Sequence, residues 1–158
     1  MLVASYRGYG DNAGRPSEDG LLLDGAAWMQ KADALAPNNR QFLFGHSLGG
    51  AIALAMAAQY EVEGVATLGA FPSMAAMVPA IVRGSLKDRF DNLETIRRVN
   101  APIYLYHGTN DQVVPFTAAR QLQDASNGRA KVIPLEGGGH HVPMDRLASL
   151  VWANFKAQ

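Results

Sequence analysis

The 158-residue chain is 48% apolar and 18% charged, enough for one domain with a sizeable core and too apolar for a disordered segment. Its 14 basic and 14 acidic side chains balance, so net charge gives no pull toward nucleic acid or an anionic membrane. The lack of cysteine excludes thiol catalysis, cysteine-ligated zinc and disulfide frameworks, and fits a reducing, cytoplasmic setting.

No apolar run reaches the roughly 18 residues that a transmembrane helix needs. Met1–Arg7 reads as strand rather than as a secretory leader. Its core, Leu2–Tyr6, stops at Arg7-Gly8-Tyr9-Gly10, where glycines admit backbone angles that other residues resist. Pro16-Ser17-Glu18-Asp19 is a helix start, with acids at the positive helix end. Leu21, Gly25, Trp28, Ala32 and Leu35 follow at helical spacing and predict the buried stripe. Gln41–Gly45 predicts a strand that runs straight into Ser47. From Leu48 to Tyr60 the chain is nearly all Ala, Leu, Ile and Met, the composition of a helix buried all round.

Gly64–Phe71, Ala101–His107 and Ala130–Leu135 predict further strands. Continuous apolar runs of this kind suit a parallel sheet covered on both faces. Pro115 opens a helix that Asn127-Gly128 closes, and a last helix spans Asp145 to Lys156 with Leu147, Ala148, Val151, Trp152 and Phe155 inward. The expectation is an α/β domain over residues 1–158, a mostly parallel sheet of about five strands with helices on both faces. Pro72–Val99 is longer than a simple crossover. It reads either as a crossover helix with a solvated charged face or as a short lid, with Met74 and Met77 as adaptable wall. Asp88, Asp91 and Glu94 interleave with its Arg83–Arg98 basic residues, so it is no nucleic-acid patch.

Gly45-His46-Ser47-Leu48-Gly49-Gly50 joins an apolar strand to an apolar helix, the context of a G-x-S-x-G turn. Such a turn is so tight that side chains two residues either side of the serine would collide, hence Gly45 and Gly49. It lifts the Ser47 hydroxyl above the sheet and aims the Leu48 N–H at an oxyanion forming beside it. Asp111 follows the next strand but one, and His140 follows the glycine run after the last strand. All three stand at strand carboxyl ends, in the order Ser47, Asp111, His140. Asp88 or Asp91 would compete as the acid only if the lid folded inward, and His141 would replace His140 if the register shifted by one. His46 and His107 read as structural.

With these motifs the sequence resembles the α/β-hydrolase superfamily, and within it the small serine hydrolases called BEM46-like or ABHD13-like. The resemblance rests on Tyr6-Arg7-Gly8-Tyr9-Gly10, on Gly45–Gly50, on His107-Gly108 through Asp111 with Val114-Pro115, and on Gly139-His140. It implies Ser47 as nucleophile, His140 as base, Asp111 as its orienting acid and Leu48 as an oxyanion donor. It implies no metal or organic cofactor, and a small-molecule acyl ester as substrate.

The resemblance also implies eight strands, with this chain beginning at the fourth. A fragment of a longer protein is therefore expected, and a preceding segment could anchor the parent to a membrane. Alternatively Leu2–Tyr6 slides over to pair with Gln41–Gly45, and backbone N–H groups of Arg7-Gly8-Tyr9 replace the missing oxyanion donor. The expected function is a serine esterase or lipase acting through an acyl-enzyme. The alternatives are an acyltransferase on the same triad and a non-catalytic fragment.

Overall fold

The computed structural model describes residues 1–156. Helix α1 (Glu18–Leu35) opens on Ser17, whose Oγ accepts from Gly20 N at 3.2 Å, with Glu18 and Asp19 in its first turn. Strand β1 (Phe42–His46) leads through Ser47 into helix α2 (Leu48–Ala57), and β2 (Gly64–Leu68) follows. Two 3-10 turns, Met74–Met77 and Ala80–Ser85, precede the short helix α3 (Asn92–Arg97). Then come β3 (Ile103–Gly108), α4 (Thr117–Ala125), β4 (Ala130–Leu135) and α5 (Met144–Lys156).

The sheet has four strands in the order β1-β2-β3-β4, all parallel. A sheet that grows in one direction through crossovers of one hand places its crossover helices on one face. The core obeys this. Leu54 and Ala57 of α2, Ile96 of α3 and Leu122 of α4 pack on Val65, Ile103 and Leu105. The alternate residues Ala66, Leu68 and Tyr106 face the other way and meet Leu147, Val151 and Phe155 of α5. Helix α1 is an outer layer: Leu21 and Met29 pack against Ile52 and Met56 of α2. Gly25 permits the approach, since a Cβ there would stand 2.8 Å from Ile52 Cγ2. Among the described residues no helix is long and apolar enough to cross a membrane.

Four expectations change. The sheet has four strands rather than five, because Leu2–Tyr6 forms none and does not move beside β1. A strand needs a neighbouring ladder, and the polar groups here pair locally instead. Trp28 Nε1 donates to Ser5 O at 2.9 Å, and Asn12 Nδ2 donates to Ser5 Oγ and Tyr6 O. The buried stripe of α1 runs through Leu21, Gly25 and Met29, while Leu35 is exposed and Trp28 half-buried. The Gly25 notch, which receives Ile52 and Met56 of α2, sets which face is turned inward. In α5, Leu147, Val151 and Phe155 are buried but Trp152 is exposed. Pro72–Val99 contains no long crossover helix. It is an excursion closed at its neck, where Asn92 Nδ2 donates to Phe71 O at 2.8 Å and Asn92 N to Pro72 O at 2.9 Å.

Candidate active site

The carboxyl ends of the four strands bring the sequence-selected residues to one edge of the sheet. Ser47 follows β1 directly, with φ 51° and ψ −116°. A left-handed φ on a serine is uncommon and costs strain that the surroundings must hold. Here Ser47 N donates to Leu68 O at 2.9 Å, and Gly50 N donates back to Ser47 O at 2.9 Å. A Cβ on Gly45 would fall far inside 3.0 Å of the Gly49 carbonyl, so the turn requires glycine there. Gly49 differs from expectation: a Cβ would meet nothing within 4 Å. The collision in this turn is between residue 45 and the main chain of 49, not between two side chains.

Asp111 lies in the loop after β3, its side chain wholly buried. Its Oδ1 accepts from Val113 N and Val114 N, each at 2.8 Å, and its Oδ2 accepts from His140 Nδ1 at 2.8 Å. Burial alone would push this carboxyl up. The Val114 N–H, the His140 imidazole and the Val113 N–H outweigh that and hold it below the usual carboxylate range. With its Nδ1 proton bonded to Asp111, His140 keeps a lone pair on Nε2. Ser47 Oγ makes no hydrogen bond to His140 in this state; such bonds often tighten only when substrate is bound.

His140 is fastened from two directions. Its carbonyl accepts from His46 Nε2 at 2.9 Å, which ties its main chain to the residue before Ser47. The His46 and His140 rings lie 4.9 Å apart, with His141 5.0 Å from His46 and 5.3 Å from His140. Burial lowers the His46 pKa chiefly, beyond what the bond to His140 restores, so this imidazole is held neutral. Among the described residues no group of three or more His, Asp or Glu is arranged to hold a metal ion.

Two glycines to which the sequence reading gave no role shape the site. Gly69, with φ 60°, lies under the His140–Asp111 pair: a Cβ there would stand 3.0 Å from His140 Cε1 and Nδ1 and 3.4 Å from Asp111 Oδ2. Gly108 closes against Gly138 and Gly139, and a Cβ on it would collide with both their carbonyls. The available signal was a glycine at the carboxyl end of an apolar strand, repeated after β2 and in β3.

The Arg7–Tyr9 backbone offers no replacement oxyanion donor. Arg7 N donates to Asp24 Oδ2 at 2.9 Å, Gly8 N to Asn12 O and Ala13 O, and Tyr9 N to Tyr6 O. Leu48, as the first residue of α2, carries one of the N–H groups that a helix leaves unbonded at its start.

A family model described as alpha/beta hydrolase fold matches residues 1–101, and the chain belongs to that family. An uncharacterized protein of Mycobacterium tuberculosis H37Rv is 34% identical over 152 residues, covering 90% of this chain and 53% of that protein. The human alpha/beta hydrolase domain-containing protein 17B is 29% identical over 140 residues, covering 86% and 48%. The chain thus spans about half the length of these curated relatives. Among solved structures, the esterase domain of a Rhodothermus marinus protein superposes with a TM-score of 0.62 at 25% identity, covering 82% of this chain and 66% of that one.

Proposed function

We propose that the chain is a serine hydrolase that cleaves carboxylic or thio-esters of small or medium acyl groups through an acyl-enzyme. The observation that carries this reading is a serine in a strained strand-to-helix turn beside an aspartate–histidine pair that His46 fastens to the same turn. The likeness to an esterase domain supports it. Within the family, the motifs at residues 6–10, 45–50, 107–115 and 139–140 favour the small BEM46-like, ABHD13-like group.

In this reading Ser47 Oγ attacks the acyl carbon while its proton passes to His140 Nε2. Asp111 stays ionised, orients the imidazole and stabilises its cationic form. The carbonyl oxygen becomes an oxyanion and takes the Leu48 N–H at the positive end of α2. The tetrahedral adduct collapses, the C–O or C–S bond to the leaving group breaks, and His140 returns the proton to that group. Water then repeats the sequence on the acyl-Ser47, with His140 as base, and releases the acid. Residues 72–99 serve as a short cover over the mouth, with Met74 and Met77 toward the acyl chain.

Fluorophosphonate labelling followed by mass mapping tests the assignment. The label is expected on Ser47 and to vanish, together with p-nitrophenyl ester turnover, in Ser47→Ala. Label on another serine, or full turnover in Ser47→Ala, would overturn it.

A further inference from the structure

We propose that His107, on β3, is a positioning residue that locks the Asp111 carboxylate in the orientation that receives His140; the proposal rests on the serine-hydrolase reading. The side chain is 1% exposed, and its Nε2 lies 2.8 Å from the carbonyl of Val114. A carbonyl only accepts, so Nε2 carries the proton, and the ring is fixed in one tautomer. The same nitrogen stands 3.4 Å from Asp111 Oδ2, the oxygen that accepts from His140 Nδ1. Val114 N in turn donates to Asp111 Oδ1 at 2.8 Å. His107 Nε2–H therefore fixes the Val114 peptide, whose N–H holds Asp111 Oδ1, while the imidazole edge lies against Asp111 Oδ2. A rotation of the carboxylate about its Cβ–Cγ bond would break the Val113 and Val114 bonds and bring Oδ1 against the His107 edge.

The Phe116 ring meets the imidazole edge-on, with centroids 5.9 Å and planes 84° apart. A buried imidazole in one tautomer, held by a carbonyl and met by an aromatic ring, is costlier to build than an apolar side chain. What it adds is a donor that holds the Val114 peptide, and with it the N–H bonded to Asp111 Oδ1, in place. The consequence belongs to kcat rather than to KM, because the Asp111–His140 bond matters most when the imidazole becomes cationic. A displacement on the order of 1 Å in such a group costs about 100-fold in rate.

The test compares His107→Phe, which removes the donor, with His107→Gln, which restores an N–H on a neutral side chain. Readouts are kcat and KM on a p-nitrophenyl ester, the far-downfield proton resonance of the His140 Nδ1–H···Asp111 bond, and thermal unfolding. His107→Phe is expected to lower kcat about 10- to 100-fold at nearly constant KM, and to shift or broaden that resonance. His107→Gln is expected to recover most of both. A folded His107→Phe with unchanged kcat and resonance overturns the proposal, as does a loss of thermal stability alone. Should His107→Phe not fold, ring ¹⁵N shifts of the unaltered protein decide: a His107 ring without a proton on Nε2 overturns the proposal. Ser47→Ala separates the two readings. It abolishes turnover and leaves the downfield resonance in place. If turnover survives there, the serine assignment fails, while the resonance in the His107 variants still decides the role of His107.

Discussion

Gly108 at the end of β3 lies main chain to main chain against Gly138 in the loop that carries His140. The contact is reciprocal, since a Cβ on Gly138 would stand 3.4 Å from Gly108 Cα. Asn110 N donates to Gly138 O at 2.9 Å, and Gly137 N to Thr109 Oγ1 at 2.9 Å, so the Asp111 and His140 loops are stitched at this point. Gly108→Ala wedges the two loops apart. It is expected to lower kcat about 100-fold and to cost about 1–3 kcal/mol of stability from overpacking. An alanine variant with native turnover would show that the loops close by another route.

The Ser47 turn makes opposite predictions for its two flanking glycines. Gly45→Ala drives a methyl into the Gly49 carbonyl and is expected to cost at least the upper part of the ~1–3 kcal/mol overpacking range. Gly49→Ala meets open space on a helix and is expected to stabilise by about 0.5–1 kcal/mol. Urea denaturation of the two single variants checks the ordering.

Adjacent histidines should separate cleanly. His140→Ala is expected to lower kcat about 10⁴-fold or more, because it removes the group bonded to Asp111. His141 is exposed and makes only ring contacts, so His141→Ala is expected to stay within about 10-fold of native, as a change outside the proton path. Single-turnover kinetics on both variants decides which imidazole takes the serine proton.

The acid response follows from two carboxylates held below their ordinary range. Asp111 is described above, and Asp24 is lowered chiefly by its hydrogen bonds to the Arg7 guanidinium. A carboxyl with a depressed folded pKa adds stability above its unfolded value, about 4, and that stability is lost as pH falls through the folded value. Asp24→Asn is therefore expected to be less stable at pH 7, with a shallower fall in its urea midpoint below about pH 4.

For His46 the direction is the same, over a higher pH window. The folded protein refuses a proton that the unfolded chain binds, so stability falls as pH drops below about 6.5 toward the lower folded value. His46→Gln is expected to remove that part of the slope, which the same denaturation series reads.

Much of this was legible in residue pattern. The strands announced themselves because a parallel sheet covered on both faces makes unbroken apolar runs, and Ala130–Leu135 falls where expected. The helix start at Ser17 was legible because capping is a local interaction. Ser47, Asp111 and His140 were selected by order and context, and the last two are hydrogen-bonded. The fate of Leu2–Tyr6 was not legible, because strand formation depends on a neighbour that local sequence does not encode. Which face of α1 is buried turned on the Gly25 notch against Ile52, a contact between elements. The parts played by Gly69, Gly108 and His46 were hidden for the same reason: each acts on a residue far away in the chain.

The neck of the 72–92 excursion separates two design problems. Asn92 is buried, and it holds both Phe71 and Pro72, so the chain leaves and re-enters the sheet at one spot. Because the ends already meet, added loop length costs only a slowly growing entropy of closure. Selection can therefore lengthen, shorten or replace everything between Pro72 and Asn92 without re-registering β2 against β3. The excursion is thus an exchangeable cassette, and Ser47, Asp111 and His140 keep their spacing whatever it carries.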